Sequence, residues 1–199
     1  ALLAARGVVD EGCDAEVIDA FETALDALGQ AGVRVSRAEV PEFARCLETA
    51  GEVSAIVNSE GWRRWGSAIE ANPGVMYPMI EARFRAGAET SPDADARARE
   101  IYAKLARAVA GRIAETGPIA LPAVACMPPP VERLLADESY YAERNLLALR
   151  NTRLANLLDL PAITIPLAAP STGLMLFGAP GDEWRLLALA RGLEPLLAG

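Results

Sequence analysis

A run of amide and hydroxyl side chains interrupts a leucine-rich stretch near the C-terminus, "NTRLANLLDLPAITIP" at residues 151–166. Asn145, Leu149, Thr152 and Asn156 stand at positions i, i+4, i+7 and i+11, a spacing that places side chains on one face of an α-helix. Polar groups set among apolar residues need hydrogen-bond partners, because an unpaired buried polar group costs stability. Two interpretations stay open. These groups either bond the protein's own backbone or line a cleft that holds a polar ligand.

Other common kinds of catalytic and metal site are excluded by residue type. The chain has no histidine, which removes Ser-His-Asp and Cys-His mechanisms and every His-ligated metal site. Cys13, Cys46 and Cys126 lie far apart without metal-type spacing, and the carboxylates around Cys13 disfavour a thiolate. Lys104, the only lysine, falls in the middle of a predicted amphipathic helix and is expected to be a solvated charge. We therefore predict no catalytic residue, no metal and no cofactor in this chain.

The composition predicts a soluble globular protein. The 199 residues are 52% hydrophobic with a mean hydropathy of +0.17, which is enough for a buried core. A net charge of −8 argues against nucleic-acid binding, because too few cations are present to replace the counterions of a phosphate backbone. No apolar run approaches the roughly 18 residues of a membrane span. An odd number of cysteines without a signal peptide favours a reducing, cytoplasmic location.

Hydrophobic spacing and turn residues predict alternating helices and strands. A helix should begin at Asp14 and end near Gly29 or Gly32, followed by a strand at residues 33–35. Further helices are predicted over residues 42–71, over 78–87, from Ser91 to Gly117, from Ser139 to Pro161, and after Asp182. Strands are predicted at 119–125, 162–166 and 173–178, with an irregular crossing at the prolines of 128–130.

These elements indicate a helix-rich α/β fold, with a mixed β-sheet of four or five short strands flanked by helices. Residues 36–118 show little strand signal and are expected to form a helical cap beside the sheet. The sheet has fewer strands than expected for a chain with this much helix, so it looks incomplete.

The C-terminal third resembles the amidase signature family. The resemblance lies in Thr152 four residues before Asn156, the "LPA" at 160–162, a β-branched strand ending in Pro166, and a "GL" strand at 173–174 leading into a terminal helix. Upstream, "AFETALDALGQAGVRV", "MIEARFRAGAETSPDADARAREIY" and "IALPAVACMPPP" resemble family segments in the same order. Met175 stands where many members have Gln. Leu149 stands where the glutamine-using amidotransferase branch has an acid.

The resemblance implies a partial amidase-signature fold and amide (C–N) hydrolysis by a Ser/cis-Ser/Lys mechanism. The family nucleophile lies in a Gly-Ser-rich loop, yet this chain contains neither a Gly-Gly nor a Ser-Ser pair. Residues 1–199 are therefore expected to be the C-terminal portion of a single amidase-type domain, with the catalytic half preceding Ala1. The absence of an initiator methionine agrees with that expectation. The segment alone should be inactive.

Within that framework, the expected role of this chain is to complete the sheet and the wall of the substrate pocket. Thr152, Asn156, Leu149 and Arg83 are the candidate substrate-binding residues, Arg83 belonging to an "R-x-x-x-G" pattern with Gly87. For Arg83 the competing interpretation is an exposed ion pair with Glu81 or Glu89.

The expected partners are a small amide substrate and the N-terminal half of the same protein. A homo-oligomer is possible, and binding to nucleic acid or to a membrane is not expected. The alternative function is a noncatalytic interaction or scaffold protein that retained the amidase shell.

Overall fold

Five short strands form the sheet in the computed structural model, which describes residues 1–197, without the side chains of residues 50–55. The strands are β1 (Leu2–Arg6), β2 (Val35–Glu39), β3 (Ile119–Pro122), β4 (Ala162–Pro166) and β5 (Gly173–Phe177). The helices are α1 (Ala15–Gln30), α2 (Pro41–Glu48), α3 (Ala50–Ala71), α4 (Pro78–Ala86), α5 (Pro92–Thr116), α6 (Val131–Ala136), α7 (Glu138–Leu157) and α8 (Glu183–Leu197), with a 3₁₀ turn at Gly87–Glu89. The predicted class, a helix-rich α/β fold with a mixed sheet, is confirmed.

The strand order is β2-β1-β3-β5-β4. β1 pairs in parallel with both β2 and β3, whereas β5 runs antiparallel to β3 and β4. β4 therefore points the same way as β3, and such a pair of strands needs a crossover connection. α7 belongs to that connection and, as its longest helix, carries the chain back toward the start of β4.

One face of the sheet is covered by α1 and α8. Inward side chains of β1, β3, β4 and β5 pack there against Phe21, Leu25 and Leu28 of α1 and against Leu186 and Leu193 of α8. Alternation along β5 sends Phe177 to the other face, where its ring meets Phe43 of α2 edge-on at 5.8 Å. The sheet therefore has an apolar layer on each side.

The chain divides into two compact units. One comprises residues 1–44 and 106–199 and contains the sheet, and the other comprises residues 45–105. In the second unit, the 3₁₀ turn lies so close to α3 that a Cβ on Gly87 would sit 2.0 Å from the carbonyl oxygen of Asn58. Only glycine fits there. That residues 36–118 act as a cap on the sheet stays a prediction.

Several sequence predictions need correction. β1 was not predicted, because "LLAAR" consists mostly of helix formers and is made a strand by its two parallel neighbours. The strand expected at 33–35 lies at Val35–Glu39. The helix expected over 42–71 is interrupted near Thr49, whose hydroxyl donates to the carbonyl of Arg45 at 2.9 Å. The irregular crossing expected at the prolines of 128–130 is confirmed, but the short helix α6, which begins directly after Pro130, was not predicted.

Candidate functional site

The predicted polar face lies on α7, whose two ends are fixed by local interactions. At the start, the carboxylate of Asp137 accepts the backbone N–H of Tyr140 at 2.9 Å. At the end, Leu160 N–H donates to the carbonyl of Ala155 at 3.0 Å while Asp159 adopts a left-handed conformation with φ of 53°. The helix is thus held between the end of β3 and the start of β4.

The inward face of α7 combines one polar side chain with apolar ones, because Asn151, Leu154 and Ala155 are all buried there. Asn151 is fully buried, and its amide nitrogen donates to the carbonyl of Pro122 at 2.8 Å and to that of Val9 at 3.4 Å. Its Oδ1 accepts a hydrogen bond from Arg150 Nε at 3.1 Å. Asn151 therefore ties α7 to the ends of β1 and β3, which is the first of the two interpretations given above for polar groups in this segment.

The outward face of α7 carries leucines. Leu146 is 56% exposed and Leu149 is 49% exposed, and Asn156 is exposed farther along the same helix. Thr152 is half-buried, and its hydroxyl donates to the Leu149 carbonyl at 3.1 Å. We call Leu146, Leu149, Thr152 and Asn156 the outer stripe of α7. The structure therefore places three predicted site residues, Leu149, Thr152 and Asn156, together on a surface open to a further molecule.

A cleft of about 570 Å³ adjoins the end of this stripe. Asn156 and Asp159 line it from α7 and the turn after it, and Glu183 lines it from the first turn of α8. The remaining lining residues are Ala155, Leu160, Pro161, Ala162 and Pro180. Asn156 thus faces a polar recess at the edge of the sheet where β4 begins.

Arg83, the fourth predicted site residue, lies exposed on α4 in the unit 45–105. Glu81 was one of two carboxylates considered as an ion-pair partner of Arg83. It forms its ion pair with Arg85 instead, at 2.7 Å. Participation of Arg83 in one site with α7 stays a prediction.

Three charged residues missed by the sequence analysis fix the position of α7. Asp14 occupies the N-cap position of α1, as predicted, but its side chain makes no capping bond. Its carboxylate instead accepts the N–H of Met127 at 2.8 Å and pairs with Arg144 of α7 at 3.2 Å. Arg150 binds the loop after β1. No local sequence pattern signals these contacts, because the partners lie more than 100 residues apart.

Neither thiol near these loops is suited to nucleophilic chemistry. Burial is the largest influence on Cys13 and on Cys126 and raises the pKa of both thiols, although Arg150 and Arg144 respectively oppose the shift. Cys13 is therefore disfavoured as a nucleophile mainly by burial and only secondarily by the neighbouring carboxylates. Lys104 is exposed on α5, as expected of a solvated charge.

Acidic side chains and thiols are also groups that bind metal ions. Within the part of the chain that the structure describes, no group of three or more His, Cys, Asp or Glu residues is arranged to hold a metal ion. Among residues 1–197, no helix combines the length and the apolar character needed to cross a lipid bilayer.

The family model described as Amidase matches residues 4–187. This chain belongs to the amidase family. The resemblance noted in the C-terminal third is thus confirmed over most of the chain.

Individual relatives agree with this assignment. The 2-amino-5-chloromuconic acid deaminase of Comamonas testosteroni is 27% identical over 195 residues, covering 92% of this chain and 40% of that protein. The structure of 6-aminohexanoate cyclic dimer hydrolase complexed with substrate matches with a TM-score of 0.78 at 21% identity, covering 100% of this chain and 45% of that one. A glutamyl-tRNA(Gln) amidotransferase structure from Thermotoga maritima matches with a TM-score of 0.65 at 19% identity, covering 97% and 41%. The chain spans 40–45% of the length of these relatives and shares their fold.

Proposed function

We propose that this chain is the C-terminal portion of an amide hydrolase of the amidase family, in which the outer stripe of α7 forms part of the substrate-pocket wall. In this proposal, the Ser and Lys residues that cleave the C–N bond belong to polypeptide N-terminal to Ala1. The observation that carries the proposal is the exposure of Leu146 and Leu149 on the outer face of α7, a helix whose inner face is already buried. A helix normally turns its apolar side chains toward the core, so two exposed leucines on one face indicate a surface that another part of the protein covers.

The edge strand supports a second contact with the same partner. β4 has β5 on one side and no strand on the other within the described residues. Beside it on α8, Trp184 is 83% exposed and Leu187 is 49% exposed. Unpaired strand edges and exposed aromatic side chains favour association with further polypeptide. An N-terminal half that extended the sheet past β4 would cover both features.

The sequence itself supports locating the nucleophile outside this chain. Acyl transfer of this kind needs an activated hydroxyl and a nearby base that can accept its proton. The serines are scattered without a Ser-Ser pair, and Lys104 lies exposed on a helix. The outer stripe can instead offer a hydroxyl, a carboxamide and leucine side chains to a small amide substrate.

The first experiment separates the proposed longer protein from the chain alone. Both are assayed for ammonia or amine release against a panel of aliphatic, aromatic and peptide amides. We expect turnover from the longer protein and none from residues 1–199. Absence of turnover across the panel, with the longer protein folded, would overturn the hydrolase assignment and favour the scaffold alternative. Turnover by residues 1–199 that Lys104→Ala abolishes would overturn the assignment of the catalytic centre.

The second experiment tests the pocket wall with a matched pair of variants. Thr152→Val removes the hydroxyl from the outer stripe, and Thr23→Val removes one from α1, where it likewise donates to its own helix, at the Asp19 carbonyl. We expect Thr152→Val to lower kcat/KM about tenfold, the effect of one lost hydrogen bond of about 1.4 kcal/mol. Thr23→Val should leave it unchanged. Equal values for both variants would overturn the pocket-wall role while leaving the hydrolase assignment intact.

A further inference from the structure

Arg150 makes more connections than any other side chain that we describe on α7. Its Nη2 donates to the carbonyl of Val9 at 2.7 Å, its Nη1 donates to the carbonyl of Glu11, and its Nε donates to Oδ1 of Asn151 at 3.1 Å. Nη2 also lies 3.3 Å from Sγ of Cys13. One planar guanidinium thus joins α7 to three residues of the loop that follows β1.

That loop, residues 7–13, is fixed largely through its backbone. Gly7 and Gly12 both have positive φ, and the N–H groups of Asp10 and Glu11 turn back to the carbonyl of Gly7. The Val9 carbonyl accepts the Cys13 thiol at 3.3 Å and the Asn151 amide at 3.4 Å, but the charged donors to the Val9 and Glu11 carbonyls come from one side chain. Arg150 supplies both, and the fork of N–H groups on a guanidinium suits two separate acceptors better than the single ammonium of lysine.

The position of Arg150 on the helix connects this attachment to the outer stripe. Leu149 directly precedes it and Thr152 follows two residues later. Successive helix residues are separated by about 100° around the axis, so an inward Arg150 sets the outward direction of its neighbours. If the guanidinium were lost, Asn151 would still bond Pro122 and, at 3.4 Å, Val9, and Arg144 would still pair with Asp14. α7 would nevertheless lose its attachments to Glu11 and Cys13, so its roll about the remaining contacts would be less restricted.

We propose that Arg150 is a positioning residue, which holds the outer stripe of α7 at a fixed angle to the substrate by gripping the loop after β1. This inference rests on the proposed function. Arg150 does not itself touch the substrate, so its loss should weaken substrate binding more than it slows bond cleavage. A wall that is displaced by about 1 Å is enough to reduce kcat/KM on the order of 10- to 100-fold.

The test uses the proposed longer enzyme carrying Arg150→Ala, Arg150→Lys or the control Arg107→Ala, an exposed arginine on α5. We expect Arg150→Ala to raise KM roughly tenfold or more with kcat changed less than about threefold, and Arg107→Ala to match wild type. Arg150→Lys should recover only part of the loss. Methylguanidinium at millimolar concentration, below denaturing levels, should lower the KM of Arg150→Ala and leave that of wild type unchanged.

A second readout uses residues 1–199 without any activity. Hydrogen exchange of the amides of residues 9–13 should be faster in Arg150→Ala than in wild type, and that of α1 should be equal in both. An active wild-type enzyme with unchanged KM in Arg150→Ala would overturn the positioning role and leave the proposed function standing. A loss of kcat alone, or a KM that methylguanidinium does not restore, would also overturn it. An inactive wild-type enzyme would instead reject the proposed function, and unchanged exchange in residues 9–13 would independently reject the grip on the loop.

Discussion

α1 and α7 are helices of the same unit, but of the two only α7 exposes large apolar side chains on its outer face. α1 buries Val17, Phe21, Leu25 and Leu28 against the sheet and presents charged residues to solvent. α7 buries Asn151 together with Leu154 and directs Arg150 inward, while Leu146 and Leu149 face outward. α1 follows the usual rule for a helix on the surface of a domain. α7 departs from it because it carries leucines on its outer face as well, as expected of a helix that is covered on both sides.

The difference shows that α7 is held by directional hydrogen bonds in addition to apolar contact. α1 is held by removal of apolar surface from water, which is insensitive to direction. α7 buries Leu154 in the same way, but it is held in addition by directional hydrogen bonds from Asn151 and Arg150 to backbone carbonyls. Hydrogen bonds define the angle of a helix more narrowly than apolar contact does, which suits an element whose outer face must meet a partner accurately.

The largest expected effect concerns the apolar attachment of α1. Phe21 is fully buried, and the Arg6 guanidinium lies over its ring, 5.7 Å from the ring centroid. Phe21→Ala should lower the free energy of unfolding by about 3–5 kcal/mol, because it removes buried area and leaves a cavity. Urea denaturation followed by circular dichroism measures this. A loss below about 1 kcal/mol would show that α1 is not held as described.

The next effect concerns the polar attachment of α7. Asn151→Leu keeps a similar size but leaves the Pro122 carbonyl without its side-chain donor, while the Val9 carbonyl keeps Arg150 as a donor. We expect a loss of about 2–3 kcal/mol in the same denaturation experiment, although the substitution makes the inner face more apolar. A neutral or stabilising result would contradict the contrast between the two helices.

A smaller effect on stability is expected at the C-terminal ends of the two helices. Both end in the same hydrogen-bonding pattern, with Val33 N–H on the Leu28 carbonyl and Leu160 N–H on the Ala155 carbonyl. α1 has Gly32 at the left-handed position, with φ of 87°, whereas α7 has Asp159 there. Asp159→Gly should therefore stabilise the chain by about 1 kcal/mol, and Gly32→Ala should destabilise it by about as much. Thermal denaturation of both variants provides the comparison, and shifts of the same sign would contradict it.

The smallest effect is expected on the outer stripe. Leu146→Ser and Leu149→Ser should change the unfolding free energy of residues 1–199 by no more than about 0.5 kcal/mol, because both side chains already face solvent. The same variants should reduce binding of a hydrophobic dye to the chain. In the proposed longer protein, they should be clearly destabilising. A large loss in the short chain would mean that the stripe is covered by the chain itself.

Helix and strand positions were predictable where local patterns determine them. α5 begins at Pro92 with Ser91 as its cap, whose hydroxyl accepts the N–H of Ala94 at 3.2 Å, as the sequence indicates. β4 and β5 also fall where β-branched and apolar runs predict strands. β1 could not be found in this way, because two neighbouring strands, rather than its own composition, make it a strand.

The candidate site was predictable only in part, for the same physical reason. Helical spacing correctly grouped Leu149, Thr152 and Asn156 on one face of α7. It could not show that this face points outward, since leucine content alone suggests burial. The contacts of Asn151 and Arg150 reach residues more than 25 and 135 positions away, respectively, and no local pattern encodes them.

The division into two units has a consequence for synthesis on the ribosome. Residues 45–105 are contiguous, so their helices can pack as soon as α5 has emerged. β1 must wait for Ile119 before it gains its second neighbour, and β3 must wait for Phe177. During that interval the nascent sheet exposes unpaired edges, and a pause in translation shortly before residue 177 would prolong its exposure to aggregation or to chaperone capture.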